Sequence, residues 1–126
     1  MQKEVVKRTG LARLLFTLVN SGKGLKFLLQ KEEAFQLELA LSLALIPAAI
    51  YLGPSRLEMS LMITATLFVL IIETLNTAVE AAIDRIGSEY HELSGLAKDL
   101  GSLAVTLSLI LWLVIWIPIV WDQLKG

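Results

Sequence analysis

Three apolar runs alternate with polar segments along the chain. Two of them have about the length of a membrane-crossing helix, and the third, residues 59–72, reaches that length together with the segment that follows it, up to Asp84. Residues 39–55 and 100–121 carry no charged side chain over 17 and 22 positions, and residues 59–72 form the third uncharged run. About 20 helical residues cross the hydrocarbon core of a bilayer. The pattern predicts an all-α membrane protein that forms a single membrane domain. Its spans are expected at about residues 35–53, 57–85 and 96–121.

The segment before the first run is amphipathic. Leucine recurs at helical spacing along one side of residues 9–29, whereas Arg13 and Lys23 lie on the other side. A helix of this kind, rich in Lys and Arg, suits the headgroup layer of a membrane, although a cytosolic helix that binds a partner has a similar pattern. The adjacent spans favour the membrane surface. We therefore predict a surface helix at about residues 5–34.

Glycine and tryptophan positions add two local expectations. Gly22 and Gly24 are expected to interrupt the surface helix, because glycine weakens a helix interior. The tryptophans of the third span all lie in its outer half, where an aromatic belt commonly marks the membrane interface. They are Trp112, Trp116 and Trp121.

Four polar side chains share one face of the second span. Glu73, Asn76, Glu80 and Asp84 follow its uncharged run at spacings of i, i+3, i+7 and i+11, which place them on one narrow stripe of a helix. A carboxylate at the centre of a membrane helix costs about 2.5–3.5 kcal/mol on insertion scales. The stripe is therefore expected to lie near the interface, to face a polar site inside a helix bundle, or both.

The distribution of charge orients the spans. The net charge is −1 and hydrophobic residues make up 56% of the chain, so the composition does not favour nucleic-acid binding. Nine of the 11 basic residues lie before the first span or between the second and third. The positive-inside rule then places the N-terminus and the second loop in the cytoplasm, and the C-terminus outside. We expect a multi-pass protein of the inner (cytoplasmic) membrane.

Further acidic and basic side chains gather at the cytoplasmic ends of the spans. They are Glu32, Glu33, Glu38, His91, Glu92, Lys98 and Asp99. Carboxylates without thiols suit a hard cation such as Mg²⁺, and nearby cations suit phosphate. This combination favours binding of a Mg²⁺–nucleotide at the membrane–water boundary. The alternatives are that Glu32 and Glu33 are the solvated start of a helix and that His91 is an ordinary surface residue. Neither a P-loop nor the protein-kinase motifs are present.

Residues 73–99 resemble the signature of a known family. The stretch ETLNTAVEAAIDRIGSEYHELSGLAKD is closely similar to the signature of the small prokaryotic diacylglycerol kinases, and a looser similarity extends to residues 32–38 and 23–25. The resemblance implies a homotrimer of three-span protomers, each with an N-terminal surface helix. It also implies transfer of the γ-phosphate of Mg²⁺–ATP to diacylglycerol, giving phosphatidic acid.

The resemblance also implies roles for individual residues. Glu73 matches the proposed general base at the lipid hydroxyl, and Asn76 matches a polar residue beside the transferred phosphate. The carboxylates that match the Mg²⁺ ligands are Glu32 and Glu80. The positions that match nucleotide contacts are Arg13, Lys23, Glu32, Glu80, His91, Glu92, Lys98 and Asp99. Lys98 also matches a lipid-substrate contact, and the family positions without a clear role are Phe35, Glu38 and Asp84.

Two residues of this chain differ from the family pattern. Phe16 occupies a position one turn after Arg13 where the family has a basic residue, and Leu96 stands where the family often has arginine.

The layout of the chain also bears on the active site. Glu32 follows the surface helix, whereas Glu73 lies on the second span. Because three thin spans cannot enclose a Mg²⁺–ATP alone, we expect active sites shared between protomers of a symmetric oligomer.

Two other functions stay open at this stage. Undecaprenol kinases, a sister family, share the pattern of Glu73, Asn76 and Glu80 but usually lack the sequence at residues 89–95. A small transporter or proton-relay subunit would also carry intramembrane carboxylates. Its polar residues should continue across the membrane, but beyond the stripe the second span offers only Thr64 and Thr66. A stripe confined to one leaflet favours an enzyme that works at the interface.

Overall fold

The structure is a computed structural model that describes residues 7–126. Within that range the chain forms four α-helices: α1 (Gly10–Lys31), α2 (Glu33–Leu52), α3 (Arg56–Ile86) and α4 (Glu92–Lys125). The predicted all-α fold is confirmed, and residues 5 and 6 of the predicted surface helix lie outside the described residues. The chain divides into two compact units, one that ends at Glu33 and one that comprises Ala34–Gly126.

Helix α1 runs without a break through Gly22 and Gly24, so the predicted interruption is wrong. Each glycine costs about 1 kcal/mol relative to alanine in a helix interior. Neither adopts a positive φ, so the backbone at both positions stays compatible with the helical hydrogen bonds on either side. The helix ends where the backbone N–H of Glu32, in an extended conformation, donates to the carbonyl of Leu28 at 3.1 Å.

The second unit is organised by the packing of α3 along α4. Its core consists of Ala49, Met62, Ala65, Trp116 and Ile119. The Trp116 indole N–H donates to the Met62 carbonyl at 3.1 Å, and the Trp112 indole N–H donates to the Thr66 hydroxyl at 3.0 Å. A buried indole needs such a partner for its N–H. These two bonds therefore fix the register of α4 on α3 in the middle of the spans.

The same contacts correct the predicted aromatic belt. Trp112 and Trp116 stack on each other with ring centroids 4.7 Å apart, and Trp116 is buried against α3. Both rings turn inward because α3 offers acceptors for their N–H groups. Trp121 alone of the three is exposed, with the Lys125 ammonium 5.9 Å from its ring centroid.

Three helices are long and apolar enough to cross a membrane, namely α2, α3 and α4. Large apolar side chains cover their outer surfaces, such as Leu43, Ile71 and Val114. A surface of this kind would be unfavourable in water and matches the hydrocarbon of a bilayer. At the start of α3, Ser55 and Glu58 form a reciprocal capping box, which satisfies two backbone N–H groups at that end.

Candidate active site

The stripe of polar residues on α3 runs from a buried side chain to an exposed one. Glu73, in the interior of the helix, is only 8% exposed. Asn76 and Glu80 are half-buried, and Asp84 near the helix end is exposed. The stripe thus leads from an apolar interior to the polar end of the helix. This is the arrangement expected where a water-soluble and a membrane-embedded group must meet.

Glu73 has an acidic neighbour on another helix. Its carboxyl group lies against the carboxyl group of Glu38 on α2, close enough for a hydrogen bond between the side chains. The second oxygen of Glu38, Oε2, is buried without a hydrogen-bond partner in the described part of the chain. Two ionised carboxylates at this distance repel each other and neither can donate. The contact therefore brings two acidic side chains together inside the apolar part of the chain.

Two buried residues flank Glu38 on α2. Phe35, one turn before Glu38, is 5% exposed. One turn after Glu38, the buried Ser42 hydroxyl donates to the Glu38 carbonyl at 2.7 Å. The role of Phe35 and Glu38 was unclear from the sequence. The structure gives Phe35 a packing role and brings Glu38 to the deepest residue of the stripe.

Asn76 and Glu80 form the next layer of the stripe. The Asn76 side-chain amide donates to Glu80 Oε1 at 3.4 Å, and Asn76 Oδ1 is buried with no partner among the described residues. The amide lies against Gly101 of α4, where any Cβ would collide with Asn76 Oδ1 and lie 3.3 Å from its Cγ. Gly101 was not identified from the sequence. The feature of the sequence that could have pointed to Gly101 is a glycine within an apolar helix that follows the helix with the polar stripe.

Asp84 and Lys98 close the polar end of the stripe. The Lys98 ammonium lies 3.1 Å from Asp84 Oδ1, and both side chains are largely exposed. An exposed pair of this kind contributes only about 0–1 kcal/mol to stability. Its main consequence is positional, because it holds the Lys98 cation beside the stripe. Asp99, the next residue of the same helix, is exposed as well.

The connection between α3 and α4 forms an open groove of about 620 Å³. Ser88, Glu89, Tyr90 and His91 are among the residues that line it. The His91 Nδ1 accepts a hydrogen bond from the Leu93 N–H at 3.1 Å and so caps α4. This capping role was not predicted. Glu92 is exposed in the first turn of α4, where an acidic side chain complements the helix dipole.

The first unit holds the remaining predicted residues. Arg13 and Lys23 are exposed on α1, and Glu32 is half-buried at its end. Arg13 lines a concave surface near the start of the helix. Also in this region, the Arg8 guanidinium carbon lies 3.3 Å from the centroid of the Phe16 ring.

The predicted Mg²⁺ ligands, Glu32 and Glu80, are carboxylates, which is the type of donor that Mg²⁺ takes from a protein. Over residues 7–126 no three or more acidic or histidine side chains converge on a common point. Mg²⁺ is usually held by one or two carboxylates together with substrate phosphates and water. Glu80, with one oxygen held by Asn76, and Glu32 are donors of the kind that such an ion takes from a protein.

The helices and polar side chains define a small multi-pass membrane protein with an acidic site along one span. Residues 19–120 match the family model described as prokaryotic diacylglycerol kinase, and the chain belongs to that family. The resemblance seen in the sequence is thereby confirmed, and family and spans together indicate a protein of the inner membrane.

Similar proteins named diacylglycerol kinase occur in several bacteria. That of Haemophilus influenzae is 44% identical, over 87% of this chain and 93% of its own. That of Escherichia coli K12 is 41% identical, over 91% and 94%. That of Pseudomonas aeruginosa is 42% identical, over 89% and 91%. The similarity therefore covers almost the whole of each protein, and the range of the family match includes α3, which carries the stripe.

Proposed function

We propose that this protein transfers the γ-phosphate of ATP to the hydroxyl group of diacylglycerol, giving phosphatidic acid and ADP. The names of its relatives support this reaction. The observation that carries it is the buried Glu73 carboxyl group, which sits within a span and starts a polar stripe leading to the helix end. A lipid hydroxyl reaches such a group from the bilayer, while ATP approaches from water.

Glu73 is the general base of the proposed reaction. As the lipid hydroxyl attacks the γ-phosphorus, the Glu73 carboxylate takes its proton, and ADP departs with the bridging oxygen. Glu38 is a positioning residue, because its carboxyl group lies against that of Glu73 and fixes where it points. The buried surroundings exclude water, so the lipid hydroxyl is the acceptor that the site admits.

The other residues of the stripe position the nucleotide. Glu80 and Glu32 would hold Mg²⁺, and Asn76 orients Glu80 through its amide hydrogen bond. When bound, Mg²⁺ neutralises charge on the phosphates, which is the main requirement of phosphoryl transfer. The cations that bind phosphate oxygens are Lys98, Arg13 and Lys23, with Lys98 held in place by Asp84. His91, Glu92 and Asp99 contact the remainder of the nucleotide.

The proposed assembly is a homotrimer with active sites shared between protomers. In a single chain Asn76 and Glu80 remain only half-buried, and polar groups of a span are costly against lipid. A closed symmetric assembly removes such faces from lipid. The proposed topology places α1 and the α3–α4 connection on the cytoplasmic side and the C-terminus outside, as the basic residues favour.

The test is transfer of radiolabel from the γ-position of ATP to lipid by the purified protein in mixed micelles. Diacylglycerol and undecaprenol are compared at equal mole fractions, with and without Mg²⁺. We expect labelled phosphatidic acid, dependent on Mg²⁺, and little product from undecaprenol. Folded protein that makes no phosphatidic acid contradicts the proposal, and comparable turnover of undecaprenol moves the chain to the sister activity.

A further inference from the structure

A concave basic surface lies near the start of α1, entirely within the first unit. It has a volume of about 750 Å³, and the residues that line it include Lys7, Arg8, Arg13, Phe16, Thr17 and Asn20. Three of these carry positive charge, and no carboxylate among residues 7–126 pairs with any of them. Such a surface attracts anions.

Phe16 is an apolar side chain on a surface whose other lining residues are polar or charged. It follows Arg13 by three residues and precedes Asn20 by four, which puts it on the polar face of the helix. It is 38% exposed, whereas Leu11 and Leu18 on the apolar face are 72% and 71% exposed. The ring is partly covered because the Arg8 guanidinium lies 3.3 Å from its centroid.

The stacked guanidinium is well prepared to bind a phosphate. A cation over an aromatic face at an exposed site is stabilised by about 0.5–1 kcal/mol. Stacking uses the flat face of the guanidinium and leaves the N–H groups at its edge free for a planar, bidentate acceptor. No hydrogen bond from Arg8 to another described residue competes for those donors. Phe16 thus holds Arg8 in one place beside Arg13.

The orientation of α1 favours a water-soluble ligand. Its leucine-rich face, opposite Arg13 and Phe16, is the side that would enter the headgroup layer. The basic surface then faces water, where several cations close together match a polyphosphate better than one lipid headgroup. We infer that Arg8, stacked on Phe16, binds a phosphate of the nucleotide substrate together with Arg13. This assignment rests on the proposed kinase function and adds a nucleotide contact to it.

The test compares Arg8→Gln with a matched control, Lys125→Gln. Lys125 also lies over an aromatic ring, that of Trp121, but at the other end of the chain. For Arg8→Gln we expect the KM for Mg²⁺–ATP to rise about tenfold, as for the loss of one hydrogen bond to a charged group, with kcat nearly unchanged. Lys125→Gln should leave both constants unchanged. A KM for Arg8→Gln equal to that of the wild type overturns the inference.

Two further variants separate the stacking from general loss of charge. Phe16→Leu keeps every charge but removes the ring, and we expect it to raise the KM by a smaller factor than Arg8→Gln. Phe16→Lys in the Arg8→Gln background returns a cation to the same surface and should restore most of the affinity. If Phe16→Leu is silent and Phe16→Lys rescues nothing, the ring does not position a phosphate-binding cation.

Direct binding keeps the inference separate from the proposed function. Calorimetric titration of the detergent-solubilised proteins with tripolyphosphate needs no turnover. Weaker binding by Arg8→Gln than by Lys125→Gln supports the site even if the protein phosphorylates no lipid, whereas equal binding contradicts it. Assays in vesicles with and without anionic lipid distinguish the source of the phosphate. An Arg8 effect seen only with anionic lipid assigns the surface to headgroups and contradicts the nucleotide assignment.

Discussion

The carboxyl group of Glu73 on α3 lies against the carboxyl group of Glu38 on α2. Both belong to helices that are apolar enough to span a membrane, where each isolated charge would cost several kcal/mol. An acidic pair in such a place is destabilising unless a proton or a cation compensates it. Its place at the deep end of the polar stripe makes this pair the first contact to test.

Replacement of Glu38 by glutamine tests the contribution of this pair. A glutamine amide cannot share a proton with Glu73 as a carboxyl group can, so we expect kcat to fall about tenfold, with KM for ATP unchanged. The thermal unfolding temperature in detergent should be about unchanged, because an amide of the same size keeps a hydrogen bond to Glu73. Glu33→Gln, at the exposed start of the same helix, is the control. An unchanged kcat would show that the contact has no part in the reaction.

Gly101 offers a test of the packing around Asn76. In Gly101→Ala the new methyl group meets the end of the Asn76 side chain, which has to turn away to make room. We expect a marked loss of activity, because Asn76 no longer supports Glu80, with little change in the unfolding temperature. Gly95→Ala, on the same helix, is the matched control, because a Cβ at position 95 would meet no other atom within 4 Å. Equal behaviour of the two variants would refute the close approach of α4 to Asn76.

The proposed metal ligands are tested by the Mg²⁺ requirement. Glu80→Gln and Glu32→Gln each remove one anionic oxygen donor, so the Mg²⁺ concentration for half-maximal activity should rise at least about tenfold, a change of about 1.4 kcal/mol. Glu58→Gln, in the capping box at the other end of α3, should leave that concentration unchanged. If Glu80 and Glu32 variants titrate like the wild type, the metal assignment is wrong.

Shared active sites are tested by complementation. Glu73→Gln and Glu32→Gln proteins are each unfolded, mixed and reassembled, and the initial rate of lipid phosphorylation is measured. If Glu32 and Glu73 of one site come from different chains, some mixed trimers contain an intact site and activity returns. Each variant reassembled alone is the control. A mixture as inactive as its components would indicate that each site is built within one chain.

The sequence predicted the helices well because their signals are long. Uncharged runs and the spacing of the stripe on α3 depend only on the helical period and on bilayer thickness. Local breaks were less predictable: Gly22 and Gly24 are tolerated inside α1, because glycine weakens a helix by a limited amount that the remaining turns overcome. Trp112 and Trp116 turn inward because α3 provides acceptors for them, which a single helix pattern cannot reveal.

The contacts between helices at the site could not be predicted from the sequence, because they depend on how far one helix is shifted along its neighbour. The stripe gave Glu73 and Glu80, but the approach of Glu38 to Glu73 and of Gly101 to Asn76 requires the packed structure. The cation expected one turn after Arg13 is absent from the sequence at Phe16. The structure places the guanidinium of Arg8 over that ring, eight residues earlier in the chain, where periodicity gives no signal.

The central claim is that Glu73 takes the proton of the diacylglycerol hydroxyl during transfer from ATP. The most direct test is the initial rate of label transfer from ATP to diacylglycerol by wild type and Glu73→Gln at saturating Mg²⁺–ATP. For Glu73→Gln we expect a kcat lower by at least about 10²-fold, within the range of general-base contributions, with unchanged unfolding temperature and ATP affinity. Near-normal turnover by a folded Glu73→Gln protein would contradict it.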